Sequence, residues 1–500
     1  MRRILILVLA LMAMAGMAHI AWSQAQSAQS FAFTPSGDAE FDAWRSDFAE
    51  RAVSAGRDRK VVQSLLEGVG PEPRVIQNDR NQAEFVRPVW DYIDRAVSAD
   101  RIARGRQALS DNAALFQAIE ARYGVDRDIV GGIWAIETNF GTATLPYDAP
   151  QAIATLAAEG RRRAAFEGYM MALIQMVERG YAGPNELKSS WAGALGQPQF
   201  MPDIYLRDAV DWNGDGRRNI WTDTGDVLAS ISNYLASRGW SPGDPVFEEV
   251  RLPRGFDYAL ADGTQRPVAE WEAFGVTRMD GSVWAPASKA LAVQIFLPAG
   301  ADGPALALFP NFAVIRSYNS SDRYALAVAL LGRGFEGRQS IQAAWPRGQG
   351  ALQRGDYIEL QTLLAQKGFA VGAVDGMFGA NTRRAVRAYQ QAEGLPADGW
   401  ATKILLDRLR GAPKPDAGPS PSDVQAQSRD LSRRSDITAL QTALNRLGYK
   451  IGKPNGKAGP RTRAAVSAFE RSLGLEPSGR ATRYVLEQAN AAVKARGRKR

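Results

Sequence analysis

Asp126-Arg127-Asp128-Ile129-Val130-Gly131-Gly132-Ile133-Trp134-Ala135-Ile136-Glu137-Thr138-Asn139-Phe140-Gly141 is the stretch on which the reading of this chain turns. Asp126 stands where a helix N-cap belongs, and Gly141 where a helix ends. Between them Ile129, Val130, Ile133, Trp134 and Phe140 form an apolar stripe. Glu137 lies seven residues after Val130, four after Ile133 and three after Trp134, so helical geometry sets its carboxylate on the apolar face. A carboxyl desolvated beside Trp and Ile has a raised pKa, which suits a general acid working near neutral pH. On spacing alone a second reading stands beside the first: a buried glutamate neutralised by an arginine.

Composition narrows the chemistry. The chain has no cysteine and a single histidine, His19. His19 lies in a segment that reads as an export signal, with basic Met1-Arg2-Arg3 followed by an apolar run from Ile4 to Ala18. That run is shorter than the ~20 residues of a membrane span. Ala21/Ser23 and Ser23/Ala25 are candidate cleavage pairs, and an uncleaved anchor is the alternative. With residues 1–25 removed as a signal peptide, the chain contains neither His nor Cys and keeps no stable membrane span. Ser-His-Asp and Cys-His catalysis are thereby excluded, as are His-ligated zinc sites and disulfides. Carboxylate chemistry remains.

The net charge is +8, and without Arg2 and Arg3 it is +6, from 59 basic and 53 acidic residues. Lys494 to Arg500 supply five of those positive charges. The 491–500 segment therefore reads as a basic tail, either a frayed solubilising end or a contact for anionic polymer. No long basic face indicates nucleic acid.

Residues 31–345 read as one mixed, mostly helical region. Beyond Trp345-Pro346 the texture changes, and residues 350–410 and 431–490 form a gapless repeat at an offset of 80. Leu360-Gln361-Thr362 meets Leu440-Gln441-Thr442, Gly376 and Gly379 meet Gly456 and Gly459, and Ala385-Val386 meets Ala465-Val466. Residues 411–430, rich in Pro, Ser, Gly and Gln, read as a flexible linker. Each copy suggests three short helices. Asp375-Gly376-Met377-Phe378-Gly379-Ala380-Asn381-Thr382, then Ala385-Val386 and Tyr389-Gln390, resembles the signature of the three-helix peptidoglycan-binding domain. The second copy departs from it at Asn455, Ala458 and Glu470, and is expected to bind weakly or only to pack.

Glu137-Thr138-Asn139-Phe140-Gly141 resembles the catalytic signature of the lytic murein transglycosylases of the membrane-bound B type, glycoside hydrolase family 103. Three further motifs follow in that family's order. They are Arg161-Arg162-Arg163-Ala164-Ala165-Phe166, Ser190-Trp191-Ala192-Gly193-Ala194-Leu195-Gly196-Gln197-Pro198-Gln199-Phe200-Met201-Pro202, and Tyr318-Asn319-Ser320-Ser321-Asp322-Arg323-Tyr324-Ala325. The resemblance spans about residues 35–335. It implies a mainly α chain: a lysozyme-like catalytic domain (31–345) with a small β part, plus two three-helix wall-binding domains. It implies a periplasmic enzyme of Gram-negative type that cuts between N-acetylmuramic acid and N-acetylglucosamine and leaves 1,6-anhydromuramic ends. The lipidated cysteine of some members is absent, which favours a soluble form. Glu137 would act as acid and then as base, because the motifs supply one carboxylate where hydrolytic lysozymes use two.

The resemblance also assigns binding roles. Ser190 and Gln199 would hydrogen-bond sugars, Tyr234 and Tyr324 would wall the groove, and Tyr318 and Asn319 would orient the N-acetyl region. Arg162 and Arg163 would meet carboxylates of the peptide stem or lactyl group. Peptidoglycan strands are the expected partner, and the chain is expected to act as a monomer. No cofactor is expected for catalysis. Asp211-Trp212-Asn213-Gly214-Asp215-Gly216 opens like an EF-hand, with oxygens at positions 1, 3 and 5. Arg217 would add its carbonyl, and Asp226 (with Asp223 second) would close a structural calcium site. A metal-free Asn-Gly turn is the alternative. Two rival functions stand: a muramidase that adds water, and a wall-binding scaffold with a dead site.

Overall fold

A computed structural model describes residues 31–80, 88–338, 340–349, 352–411, 428–473, 475 and 477–497. The predicted signal peptide, residues 412–427 of the predicted linker and the last three residues of the basic tail lie outside the described residues. The chain forms two compact units, Met1–Leu409 and Arg410–Arg500.

In the first unit, helices pack around a continuous core running from Phe41, Trp44 and Phe48 to Leu326 and Leu330. Short polar residues set their starts. Asp38 accepts the Phe41 N–H, Asp58 accepts those of Lys60 and Val61, and Ser98 accepts that of Arg101. The pairing that matters most joins the helix Arg127–Thr138 to the helix Asp322–Phe335. Two glycines let them approach closely. A Cβ at Gly132 would lie 2.9 Å from the Val328 carbonyl oxygen, and one at Gly332 would lie 2.7 Å from Asp128 Oδ2. The helices run antiparallel: Asp128 faces Gly332, Gly132 faces Val328, and Glu137 faces Tyr324.

The small β part is a five-stranded antiparallel sheet in the order Arg266–Pro267, Ala292–Phe296, Ala305–Leu308, Phe247–Arg251, Thr277–Arg278. It has its own core around Trp271, Phe256, Ile295 and Phe309. The fold class is the one expected from sequence: mainly α, with a small sheet.

Both repeats form the three expected helices. In the first they are Arg354–Gln366, Ala380–Ala392 and Lys403–Leu409. In the second unit they are Arg434–Arg446, Pro460–Ser472 and Arg483–Gly497. Leu360, Leu364, Val386 and Tyr389 fill the first core, and Leu440, Leu444, Val466 and Phe469 fill the second. Within the first unit the first repeat packs on the catalytic region. Ala301 N–H donates to Asp398 Oδ2 at 2.8 Å, and Arg387 Nη2 donates to the Ala261 carbonyl at 2.8 Å. Among the described residues, no helix is long and apolar enough to cross a membrane.

Candidate active site

Glu137 occupies the last turn of Arg127–Thr138. Ile129, Val130, Ile133 and Trp134 are buried, and Glu137 is half-buried at the edge of their stripe. The helix stops three residues before Gly141, which corrects the expected end. Asn139 (φ 53°) and Phe140 (φ 61°) already take the left-handed conformation. A bulky side chain rarely does so, and such strain concentrates at functional sites.

Tyr324 stands in the first turn of the facing helix, where the Ser321 hydroxyl accepts its N–H. Its own hydroxyl donates to Glu137 Oε1 at 2.6 Å. Tyr318 stacks on Tyr324 with ring centroids 6.3 Å apart, and Tyr234 and Phe200 continue the aromatic cluster at 4.7 and 5.8 Å from Tyr318. Burial first, and the Glu137 charge second, push the hydroxyls of Tyr318 and Tyr324 well above the ordinary phenol range. Both phenols therefore stay protonated, and Tyr324 serves Glu137 as a donor. The other carboxylate acting on Tyr318 is Asp208. It is buried and locked between Arg207 at 3.1 Å and Arg238 at 2.9 Å. No sequence signal marked Asp208.

Several expected binding residues have other duties. Tyr324 is no stacking wall, because it is buried and bonded to the acid. Tyr234 is no wall either: Arg238 covers one ring, at 3.3 Å from its centroid, and the hydroxyl donates to the Ser317 carbonyl at 2.6 Å. The Gln199 amide donates to the Gly196 carbonyl at 2.9 Å, within its own loop, and its φ is 55°. The Ser190 hydroxyl accepts the Ala194 N–H at 3.2 Å. Arg162 pairs with Asp79 at 2.5 Å beside Arg161, and lies over the Phe166 ring. Arg163 donates to the carbonyls of Ala157 and Ala158, closing the end of the preceding helix. Tyr318 donates to the Pro198 carbonyl at 2.6 Å, which joins the second motif to the fourth. Asn319 is exposed beside it.

The loop expected to hold calcium is closed from within. Asp211 accepts the N–H groups of Gly214, Asp215 and Gly216. The Asn213 carbonyl accepts from Asp215, and Asp215 from Arg217 and the Asn213 amide. Asp226, fully buried, spends one oxygen on Trp212 N–H at 2.7 Å and the other on Asn219 N–H at 2.6 Å. Asp223 caps the next helix. Among the described residues no group of three or more acids is placed to hold a metal. As placed, Asp226 is a loop anchor with both oxygens on backbone N–H groups, and the Arg217 side chain pairs with Glu186.

A separate hollow of about 820 Å³ opens at the N-terminal end of the Glu137 helix, lined by Glu120, Asp126, Asp128, Glu336 and Arg338 among others. Burial, then acidic neighbours, pushes Asp126 and Asp128 up to about 6. It contains no motif residue, and it lies at the wrong end of the helix for the chemistry.

The family model of the transglycosylase SLT domain matches residues 40–333, and that of the putative peptidoglycan-binding domain matches 353–409 and 433–488. The membrane-bound lytic murein transglycosylase B of Escherichia coli is 30% identical over 302 residues, which are 57% of this chain and 81% of that protein. A crystal structure of SltB3 from Pseudomonas aeruginosa, in complex with NAG-anhNAM-pentapeptide, superposes with a TM-score of 0.72 at 42% identity. It covers 75% of this chain and 100% of its own. The Escherichia coli lytic transglycosylase Slt35, in complex with calcium, superposes at 0.51 with 29% identity, covering 58% of this chain and 92% of its own.

Proposed function

This chain belongs to the SLT transglycosylase family, and on that footing we propose how it cuts murein, with Glu137 acting first as acid and then as base. It is a lytic murein transglycosylase of peptidoglycan. In the proposed cycle Glu137 protonates the glycosidic oxygen that leaves muramic C1. The muramic N-acetyl oxygen covers the developing cation. Glu137, now a carboxylate held by the Tyr324 O–H, takes the proton of the muramic C6 hydroxyl. That oxygen closes on C1, which gives a 1,6-anhydro end and returns the proton to Glu137. No water is consumed, and no step passes through a metal or cofactor.

The observation that carries this reading is the pairing of Glu137 with Tyr324 while the neighbouring Asp208 is held between two arginines. The carboxylate that acts on Tyr318 is thus engaged by two arginines, and the proposed cycle uses Glu137 as both acid and base. Exposed Asn319 and the polar atoms of Ser190 are the proposed sugar contacts, and the two repeats the proposed wall contacts. We place the protein in the periplasm, acting as a monomer.

The test is digestion of sacculi by wild type and by Glu137→Gln, with mass spectrometry of the products. Wild type should give anhydromuramic ends, and the variant should be slower by roughly 10²–10⁴-fold, the usual worth of a positioned acid. Reducing muramic ends alone would show a muramidase, and equal lysis by both proteins would remove Glu137 as the acid.

A further inference from the structure

Gln197 sits in the second motif with no role assigned so far, yet it touches the Glu137 helix at two places and the turn beyond it at a third. Its side-chain carbonyl accepts Trp134 Nε1–H at 2.7 Å. Its backbone carbonyl accepts the hydroxyl of buried Thr138 at 3.0 Å. Its amide also fills the space beside Gly141, where a Cβ would lie 2.5 Å from Gln197 Oε1. Trp134 and Thr138 flank Glu137 three residues before it and one after, and Gly141 follows the left-handed Asn139-Phe140 pair. One residue therefore grips the last turn of the helix and the strained turn that ends it.

Gln197 is itself held on its far side. Its backbone N–H donates to the Ile220 carbonyl and its side-chain Nε2 to the Trp221 carbonyl, both at 2.8 Å. That approach needs Gly196 (φ 58°), whose Cβ would meet the Ile220 oxygen at 2.6 Å. Ile220 and Trp221 belong to the loop closed by buried Asp226, which anchors Asn219 N–H. The grip on the catalytic turn is thus fastened to a rigid base.

We infer that Gln197 is a positioning residue: it fixes the Glu137 carboxylate by clasping Trp134, Thr138 and the left-handed turn against the Asp226 loop. This rests on the reading of Glu137 as the acid. An acid displaced by about 1 Å can lose on the order of 10²-fold in rate, so the effect belongs in kcat. Substrate contacts stay in place, so KM should hold.

The experiment measures kcat and KM on purified glycan strands for Gln197→Met, Gln197→Glu, Trp134→Phe and the double variant Gln197→Met/Trp134→Phe, with Glu137→Gln beside them. We expect Gln197→Met to lose at least about tenfold in kcat with KM within about threefold. Gln197→Glu, which keeps an acceptor for Trp134, should recover part of that loss. The double variant should be no slower than Gln197→Met alone, because both changes break the same bond. A folded Gln197→Met with wild-type kcat, or losses that multiply in the double variant, overturns the inference. Should Gln197→Met fail to fold, Trp134→Phe decides: a fall in kcat at constant KM supports the clasp, and unchanged kcat refutes it. An active Glu137→Gln would sink the acid assignment itself. An inactive Glu137→Gln beside an unimpaired Gln197→Met sinks the clasp alone.

Discussion

In the first repeat Asp398 reaches beyond its own module; at the same place in the second, Ser478 reaches inward. Asp398 Oδ1 accepts from the Gln390 amide at 2.6 Å and from Trp400 N–H at 2.8 Å, which leaves Oδ2 for Ala301 N–H of the catalytic region. In the second repeat the charge has moved to the helix. Glu470 accepts the Ser478 hydroxyl at 2.6 Å and the Gly479 N–H at 2.8 Å. The surrounding positions change in the same sense. Phe378, Arg387 and Trp400 become Ala458, Ser467 and Arg480. Arg383 in the first copy is wedged between the rings of Phe378 and Trp400, near Asp322, while its counterpart Arg463 is exposed. Gly300 completes the fit, since a Cβ there would lie 2.7 Å from both Asp398 Oδ2 and Trp400 Cβ. Two copies of one module thus keep one interior and carry different faces: the first is a fixed part of the catalytic unit, the second a unit of its own.

The shared interior gives the largest expected effect. Gln361 Oε1 accepts the N–H groups of Asp375 and Gly376, and Gln441 Oε1 accepts those of Asn455 and Gly456. Each glutamine also donates to a buried threonine, Thr382 or Thr462. Replacing either glutamine by leucine strands two backbone donors, at about 1–3 kcal/mol each. Gln361→Leu and Gln441→Leu should therefore destabilise their own repeats equally, by roughly 2–6 kcal/mol, as read by thermal unfolding of the full chain. A repeat that tolerates its substitution would break the claim of a common scaffold.

The differing face gives the next effect. Asp398→Ala removes the acceptor of three donors and should loosen the docked module by about 1–3 kcal/mol, seen as faster amide exchange at Ala301 and easier proteolysis between the module and the catalytic region. Ser478→Ala removes the bond its hydroxyl donates to Glu470 and the one it accepts from the exposed Arg480 N–H, and should cost about 1 kcal/mol, confined to the second repeat. Equal and purely local effects would show that docking does not depend on Asp398.

How much of this was legible follows from how far each partner lies along the chain. The apolar stripe put Glu137 on the inner face because helical spacing is a local rule. The repeat was visible because its cores match without a gap. Tyr324 was placed near the groove by its motif, but its bond to Glu137 joins residues 187 positions apart, and no periodicity records that. Docking by Asp398 was hidden for the same reason, because its acceptor role exists only once Ala301 is brought beside it. The intramolecular bonds of Arg163 and Tyr234, to the carbonyls of Ala157, Ala158 and Ser317, were not legible, because a polar side chain looks alike in sequence whether it meets sugar or its own backbone. Asp226 was read from sequence as the residue that closes a calcium site; both of its oxygens go to backbone N–H groups of its own loop, bonds that no motif records.

The smallest effect is also the cleanest separation of the copies. Asp375 and Asn455 occupy matching places and make the same bonds, to the glutamine amide and to the N–H two residues on. Only Asp375 titrates. The Gln361 amide first, and the Met377 N–H second, hold its carboxyl below the ordinary value of 3.8. The folded value is thus below the unfolded one, so this contribution is present above pH 3.8 and fades as pH falls through the folded value. The side chain is exposed, so solvent screening keeps the effect small. Between pH 4 and pH 2, amide protection at Gly376 should fall relative to Gly456 in the same molecule, and Asp375→Asn should erase the difference. Parallel loss at both glycines would mean that the acid response belongs to the scaffold they share. A difference that survives Asp375→Asn would assign it to another carboxylate that the second repeat lacks: Asp398 on the docked face, Glu359 or Glu393.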